Sequence, residues 1–333
     1  MGGQGTGVPG RGRPPEPSWP TVIATTVRLW LERHPIGGTR ALRGWRGVLA
    51  VALVIALGTG VGAIIGRVGI SSPATPHAAQ PGSPFRVARE ASVATRNQAA
   101  EWITQQVAAS AIVACDPAMC TALQADGIPA GKLLVLGTAA GDPLGSDIVV
   151  ATPAVRSQFE ARLESVYAPA VIASFGSGAG RIDVRVTAPF GAAAYESALA
   201  ADRRARVAAG RQLLRNPRVI VPSAARTALI AGEVDPRVLI TLAALAANEP
   251  VRIVAFGDPS PGAGSAAPLR GARIAPAGTG SGPQTLRSML SFLDAQRPPF
   301  SPLRASLAGA SALNVEYAAP SPLGLLGGQQ VTN

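Results

Sequence analysis

Two sets of residues carry the chemistry this chain can offer: the cysteine pair Cys115 and Cys120, and the carboxylates Asp116, Asp142, Asp147 and Asp258 at strand ends or in loops. Cys115 ends the run SAIVAC, and Cys120 falls in the first turn of the helix that Asp116-Pro117 opens, so the two sulfurs can meet. In an oxidising compartment that pair becomes a disulfide pinning the strand-to-helix turn. The C-x4-C spacing speaks against a thiol-redox couple, for which C-x-x-C is the usual form; two free thiols are the remaining alternative. Asp116 stands where open α/β sheets place ligands, at the carboxyl end of a strand. Paired with Asp142 or Asp258, it could act as general acid and base or hold a divalent cation. The stronger reading is structural, because Asp before Pro is an ordinary helix cap or turn former.

Imidazole chemistry is removed from the region that folds, since the two histidines, His34 and His77, precede it. Ser-His-Asp and Cys-His nucleophiles fail for want of a base, and histidine-ligated metal fails with them. The glycine-rich GSGAG at 176–180 has no helix after it and reads as a turn between strands, not a phosphate cradle. No metal and no cofactor are expected.

Hydrophobic periodicity supplies the elements that must hold these groups. A first α/β lobe is expected over 88–190. Its opening helix, 88–108, carries Ala99, Trp102, Ile103 and Val107 on one face. Strand 110–115 leads into a helix with Asp116 as N-cap and Pro117 at its first position. Strands 132–137 and 146–152 follow, then a helix over 153–166 and strands 170–176 and 181–189. A second lobe over 191–275 opens with a helix at 191–214 whose Arg203, Arg204, Arg206 and Arg211 read as a solvated face. A basic face for an acidic polymer or partner is the minority alternative. Strand 218–222, helix 224–232 ended by Gly232, a helix capped by Asp235 and strand 251–258 come next. Residues 259–282 read as a Gly/Pro/Ser loop, and 276–333 as a helix, a strand pair and a tail. Strands alternating with helices imply two small α/β lobes, each with a mostly parallel sheet.

Upstream, 47–66 (GVLAVALVIALGTGVGAIIG) is uncharged and closed by Arg46 and Arg67. As a helix it reaches about 30 Å, the thickness of a bilayer's hydrocarbon core. Arginines crowd its N-terminal side, so the basic, largely disordered leader 1–46 is read as cytoplasmic and the bulk of the chain as extracytoplasmic. A cleaved signal peptide is the rival reading, but the apolar run is longer than an h-region and sits deep in the chain. Gly58, Gly62 and Gly66 fall on one helix face, where small residues allow a homodimer through close helix approach. Residues 67–87 form a Pro/Ser/Ala linker that lifts the next domain off the membrane.

The net charge of +11 rests almost wholly on dispersed arginine, with Lys132 the only lysine, and aromatic residues make up 4% of the chain. That combination leaves few stacking platforms and argues against nucleic acid; an anionic lipid or acidic envelope polymer fits the sign.

The order Glu101-Trp102-Ile103, SAIVACD, Gly127-Ile128-Pro129, SDIVVATPAVRSQF and VIASFGSGAGRIDVRV, over about 95–188, carries a resemblance. It resembles the extracytoplasmic C-terminal domain of polytopic, lipid-linked-sugar glycosyltransferases of actinobacteria. The whole chain is more loosely similar to uncharacterised actinobacterial single-pass envelope proteins associated with polysaccharide synthases. The chain departs from the glycosyltransferases in having one span and none of their membrane-embedded acidic residues. The resemblance therefore implies an envelope-glycan setting without the transfer chemistry. The expected function is a non-catalytic, membrane-anchored accessory or scaffold in cell-envelope or exopolysaccharide assembly that binds glycan or a synthase partner. The alternative is a carboxylate-dependent enzyme acting on envelope glycan.

Overall fold

The computed structural model describes residues 84–137, 141–258, 260–263, 267–278 and 282–327. The leader, the apolar segment with Gly58, Gly62 and Gly66, and the linker up to residue 83 lie outside the described residues. Among the described residues no helix is long and apolar enough to cross a membrane. Gly82–Asn333 forms one compact unit, and it contains two five-stranded sheets in a mixed α/β arrangement.

The first sheet follows helix α1 (Pro84–Gln106), whose Ala99, Ala100, Trp102 and Ile103 are buried at helical spacing. Strand β1 (Val113–Cys115) enters α2 (Pro117–Ala125), then β2 (Leu133–Val135) and β3 (Ile148–Ala151). Helix α3 (Pro153–Phe159) precedes β4 (Ala170–Phe175) and β5 (Ile182–Val186). The strand order is β2-β1-β3-β5-β4, with β1 parallel to both β2 and β3, and β5 antiparallel to both β3 and β4. The expectation of a mostly parallel sheet is corrected here. The β4–β5 link is a tight GSGAG turn, and a link that short returns the chain antiparallel, whereas parallel neighbours need a long crossover.

The helix expected over 153–166 also breaks. Glu160 takes φ 49° and ψ −136°, and the chain resumes as a π-helical turn at Leu163–Tyr167. Both faces of the sheet are covered. Val113, Cys115, Ile148, Val150, Val184 and Val186 meet α1 and α2, while Ala114, Val149 and Ala151 meet Val155, Phe159, Leu163 and Tyr167. Strands buried on two sides read as continuous apolar runs, which is how IVVA reads.

The second sheet follows α4 (Ala192–Arg215), β6 (Val219–Ile220), α5 (Ser223–Ala231) and α6 (Pro236–Asn248). It is completed by β7 (Val251–Gly257), β8 (Gly271–Pro276), α7 (Pro283–Asp294), β9 (Arg304–Ala308) and β10 (Ala312–Glu316). Its order is β6-β7-β8-β10-β9, and only β6–β7 is parallel. Here too the mostly parallel expectation fails: β8 lies inside the stretch expected to be loop, and the C-terminal strand pair joins this sheet across the boundary set at 275. Val251, Ile253, Ala272, Ile274, Leu313 and Val315 pack one face against α5, α6 and α7. Arg252, Val254, Arg273 and Asn314 are exposed on the other. The alternation of buried and exposed positions is that of a sheet with one wet face.

The two sheets are tied by main chain. The N–H of Ala319 donates to Gln106 (2.7 Å), the N–H of Ala108 to Ala319 (2.9 Å) and the N–H of Ser174 to Pro261 (2.7 Å).

Candidate functional site

The carboxyl edge of the first sheet holds Asp116 and the Cys115–Cys120 pair. Between β1 and β3 the strand order reverses, the place where open sheets of this kind receive ligands. Asp116 directly follows β1 and Thr152 directly follows β3, and each is followed by proline and a helix. Proline at the first helical position loses no hydrogen bond, because the first N–H groups of a helix have no intrahelical partner. Asp116 Oδ1 accepts from the N–H groups of Ala118 (2.9 Å) and Met119 (3.1 Å). Its Oδ2 accepts from the Thr152 hydroxyl at 2.5 Å, and that hydroxyl oxygen accepts in turn from the Val155 N–H at 3.3 Å. The two helix caps are thereby joined into one hydrogen-bonded unit across the switch point.

Cys115 and Cys120 form a disulfide across the same turn, with Cα atoms 5.4 Å apart. Both cysteines are buried. The bridge holds the end of β1 against the first turn of α2, so the position of Asp116 is set from both sides.

The other carboxylates are dispersed. Exposed Asp142 accepts from the Leu144 N–H (3.0 Å) and closes a local turn, and Asp147 accepts from the Ile112 N–H (2.7 Å). Asp258 belongs to the second sheet, where it accepts from the Ser260 N–H (3.0 Å) and pairs with Arg270 Nη2 (3.0 Å). Among the described residues no hydrogen bond links any two of these four carboxylates, and none belongs to a group of three or more metal-capable side chains. The arrangement at Asp116 can fix backbone shape and present a pre-set strand edge to a ligand.

Asp235-Pro236 in the second lobe repeats the cap: Asp235 Oδ1 accepts from the Arg237 N–H (2.8 Å) while Oδ2 pairs with Arg237 Nη2 (2.7 Å). Three helices of one chain start on the same device, which is a structural usage of Asp-Pro and Thr-Pro.

Sequence reasoning missed the buried cations. Arg270, 3% exposed, donates to the Tyr317 carbonyl (2.7 Å), Ser260 Oγ (2.9 Å) and Asp258, and its guanidinium lies over the Trp102 ring, 5.9 Å from the centroid. Arg206, expected on the solvated face of its helix, is buried instead, with Nε on Asp202 Oδ2 at 2.8 Å. The D-x-x-x-R spacing that sets this pair on one helix face was the available signal. Burial pushes the Asp202 carboxyl up, opposed by the Arg206 charge and the Gly324 N–H. Burial likewise pushes the phenols of Tyr195 and Tyr317 up to about 12.

Comparisons of the chain with protein-family models, with curated proteins and with solved structures find no match.

Proposed function

We propose that the chain is a non-catalytic accessory or scaffold protein of envelope or exopolysaccharide assembly. It is held by a single span at 47–66 with the N-terminus inside, and it uses the carboxyl edge of the first sheet to bind glycan or a synthase partner. The observation that carries this reading is the engagement of Asp116. One oxygen is spent on two helix N–H groups and the other on Thr152, leaving the carboxylate a structural part of the edge. Such a cap serves stability, and the fixed edge beside it offers a preorganised surface, which lowers the entropy lost on binding.

Three measurements test the proposal. A phosphatase reporter fused after residue 333 is expected to be active only outside the cytoplasm; activity confined to the cytosol would sink the anchor, the orientation and the glycan setting together. Purification of the full chain from membranes is expected to bring a polysaccharide synthase or glycan with it, and recovery without either would remove the accessory role. Asp116→Asn is expected to keep function in cells, because the amide oxygen still caps α2. Loss of function with the fold intact would favour the carboxylate-dependent enzyme instead.

A further inference from the structure

From Arg203 to Gly232 the chain contains seven arginines and no Asp, Glu or Lys. Arg206 is consumed inside by Asp202, and Arg203 is tethered through Nε to the Ala231 carbonyl at 3.2 Å. Arg204, Arg211 and Arg215 are exposed, and among the described residues none of their side chains has a hydrogen-bond or ion-pair partner. The buried line of α4 runs through Asp202, Arg206, Gly210 and Leu213. At about 100° per residue, Arg204, Arg211 and Arg215 project within about 40° of one another on the opposite side, as a straight stripe about 16 Å long.

An ordinary solvated helix face mixes signs and gains from Glu–Arg pairs four residues apart. This one places Arg211 and Arg215 at that spacing, where like charges are unfavourable. Arg226, exposed on the neighbouring helix α5, adds a further positive charge.

We infer that this stripe is a binding surface for an extended acidic polysaccharide carrying carboxylate or phosphate groups. Charge complementarity identifies the class, since guanidinium forks pair with such anions in a bidentate way and hold charge at every accessible pH. A bilayer surface fits less well, because amphipathic membrane contacts set Trp, Phe or Leu beside the basic residues, and no large apolar side chain of α4 is exposed. Single-stranded nucleic acid fits less well for lack of an aromatic platform on the stripe. The site is separate from the edge at Asp116, so it stands or falls independently of the function proposed above.

The test uses the full chain in detergent micelles with polygalacturonate as probe. Neutral dextran, a single-stranded oligonucleotide and phosphatidylglycerol vesicles serve as competitors. Polygalacturonate is expected to bind, dextran not, with affinity falling as salt rises. The triple variant R204Q/R211Q/R215Q is expected to lose about tenfold in affinity at low salt, from three exposed ion pairs. The control R252Q/R287Q/R297Q removes the same charge elsewhere and is expected to bind as the parent does. Equal loss in both variants would mean that net charge alone is read and would overturn the proposal. So would undiminished binding by the first variant, no binding by the parent, or tighter binding of vesicles or oligonucleotide than of polygalacturonate.

Discussion

Strands β3 and β5 of the first sheet are buried on both faces, whereas the strands of the second alternate between core and solvent. Charge follows the same division. Residues 88–190 hold seven basic and nine acidic side chains, a net of −2, while 191–333 hold fourteen and eight, a net of +6. A sheet covered on both sides has no wet face for spare charge, so its inward polar groups must find partners. Asp183 takes Ser174 and Arg181, and Arg185 takes the Ala168 carbonyl and Glu164. The second sheet, with one face open and α4 on its flank, can carry arginines outward at little cost. The first lobe is thus built to hold a shape and the second to display charge.

Substitutions can break or sharpen that contrast. The largest effect is expected at the junction. Arg270→Ala leaves the largely shielded Asp258 carboxylate without its counter-charge and should cost about 3–5 kcal/mol in denaturant unfolding. Arg270→Met combined with Asp258→Leu should recover most of it; no recovery would mean that the Tyr317 carbonyl and Ser260 contacts, not the charge, hold the junction. Next comes Gly210→Ala. A Cβ there would sit 2.4 Å from the Leu229 carbonyl oxygen, so α4 and α5 must separate, at a cost of up to about 3 kcal/mol. Amide exchange should quicken in α5 and not in β3; uniform quickening would mean that the lobes unfold as one.

Replacing both cysteines by alanine should cost about 2 kcal/mol, the chain-entropy value for so short a loop. The loss should be confined to β1 and α2 in exchange measurements, leaving β7 and β8 unchanged. Asp116→Ala removes a cap and should cost about 1 kcal/mol; a substantially larger loss would give the Thr152 bridge a greater share in the first sheet than capping supplies.

At neutral pH the tyrosines make no difference, and their effect is seen only in alkali. The phenols of Tyr195 and Tyr317 ionise near 10 when the chain is unfolded and are held up to about 12 by burial when it is folded. The unfolded chain therefore sheds those protons first, so the tyrosines' contribution to stability is flat below about pH 10 and falls as pH rises from 10 towards 12. Tyrosinate absorbance and circular dichroism followed together should show ionisation coinciding with unfolding; free ionisation of the native protein near pH 10 would contradict the shielding of buried Tyr317 and half-buried Tyr195.

Legibility differed by element. Helix starts at Asp116-Pro117 and Asp235-Pro236 were plain, because cap and proline act through neighbours two and three residues away. The disulfide was plain as well, since its two ends lie on one local turn. Strand β8 was missed although Ala272 and Ile274 alternate with Arg273, because flanking glycine and proline outweighed so short a pattern. The break at Glu160 had no signal, as a side chain with positive φ is normally replaced by glycine. The tie between Asp116 and Thr152 was also illegible, for a cap states that its helix begins and not which strand lies beside it.

Local chemistry, readable residue by residue, determined the caps, the turn glycines, the Cys115–Cys120 bridge and the apolar faces of α1 and β3. Tertiary structure alone decided the strand order, the direction of β5 and β10, the pairing of Arg270 with Asp258, and which arginines of α4 face out. The physical reason is range. A cap or a short loop closes within a few residues, so its energy is written in adjacent side chains. Strand pairing and buried charge depend on groups far apart in sequence, and their energies exist only once the chain has brought them together.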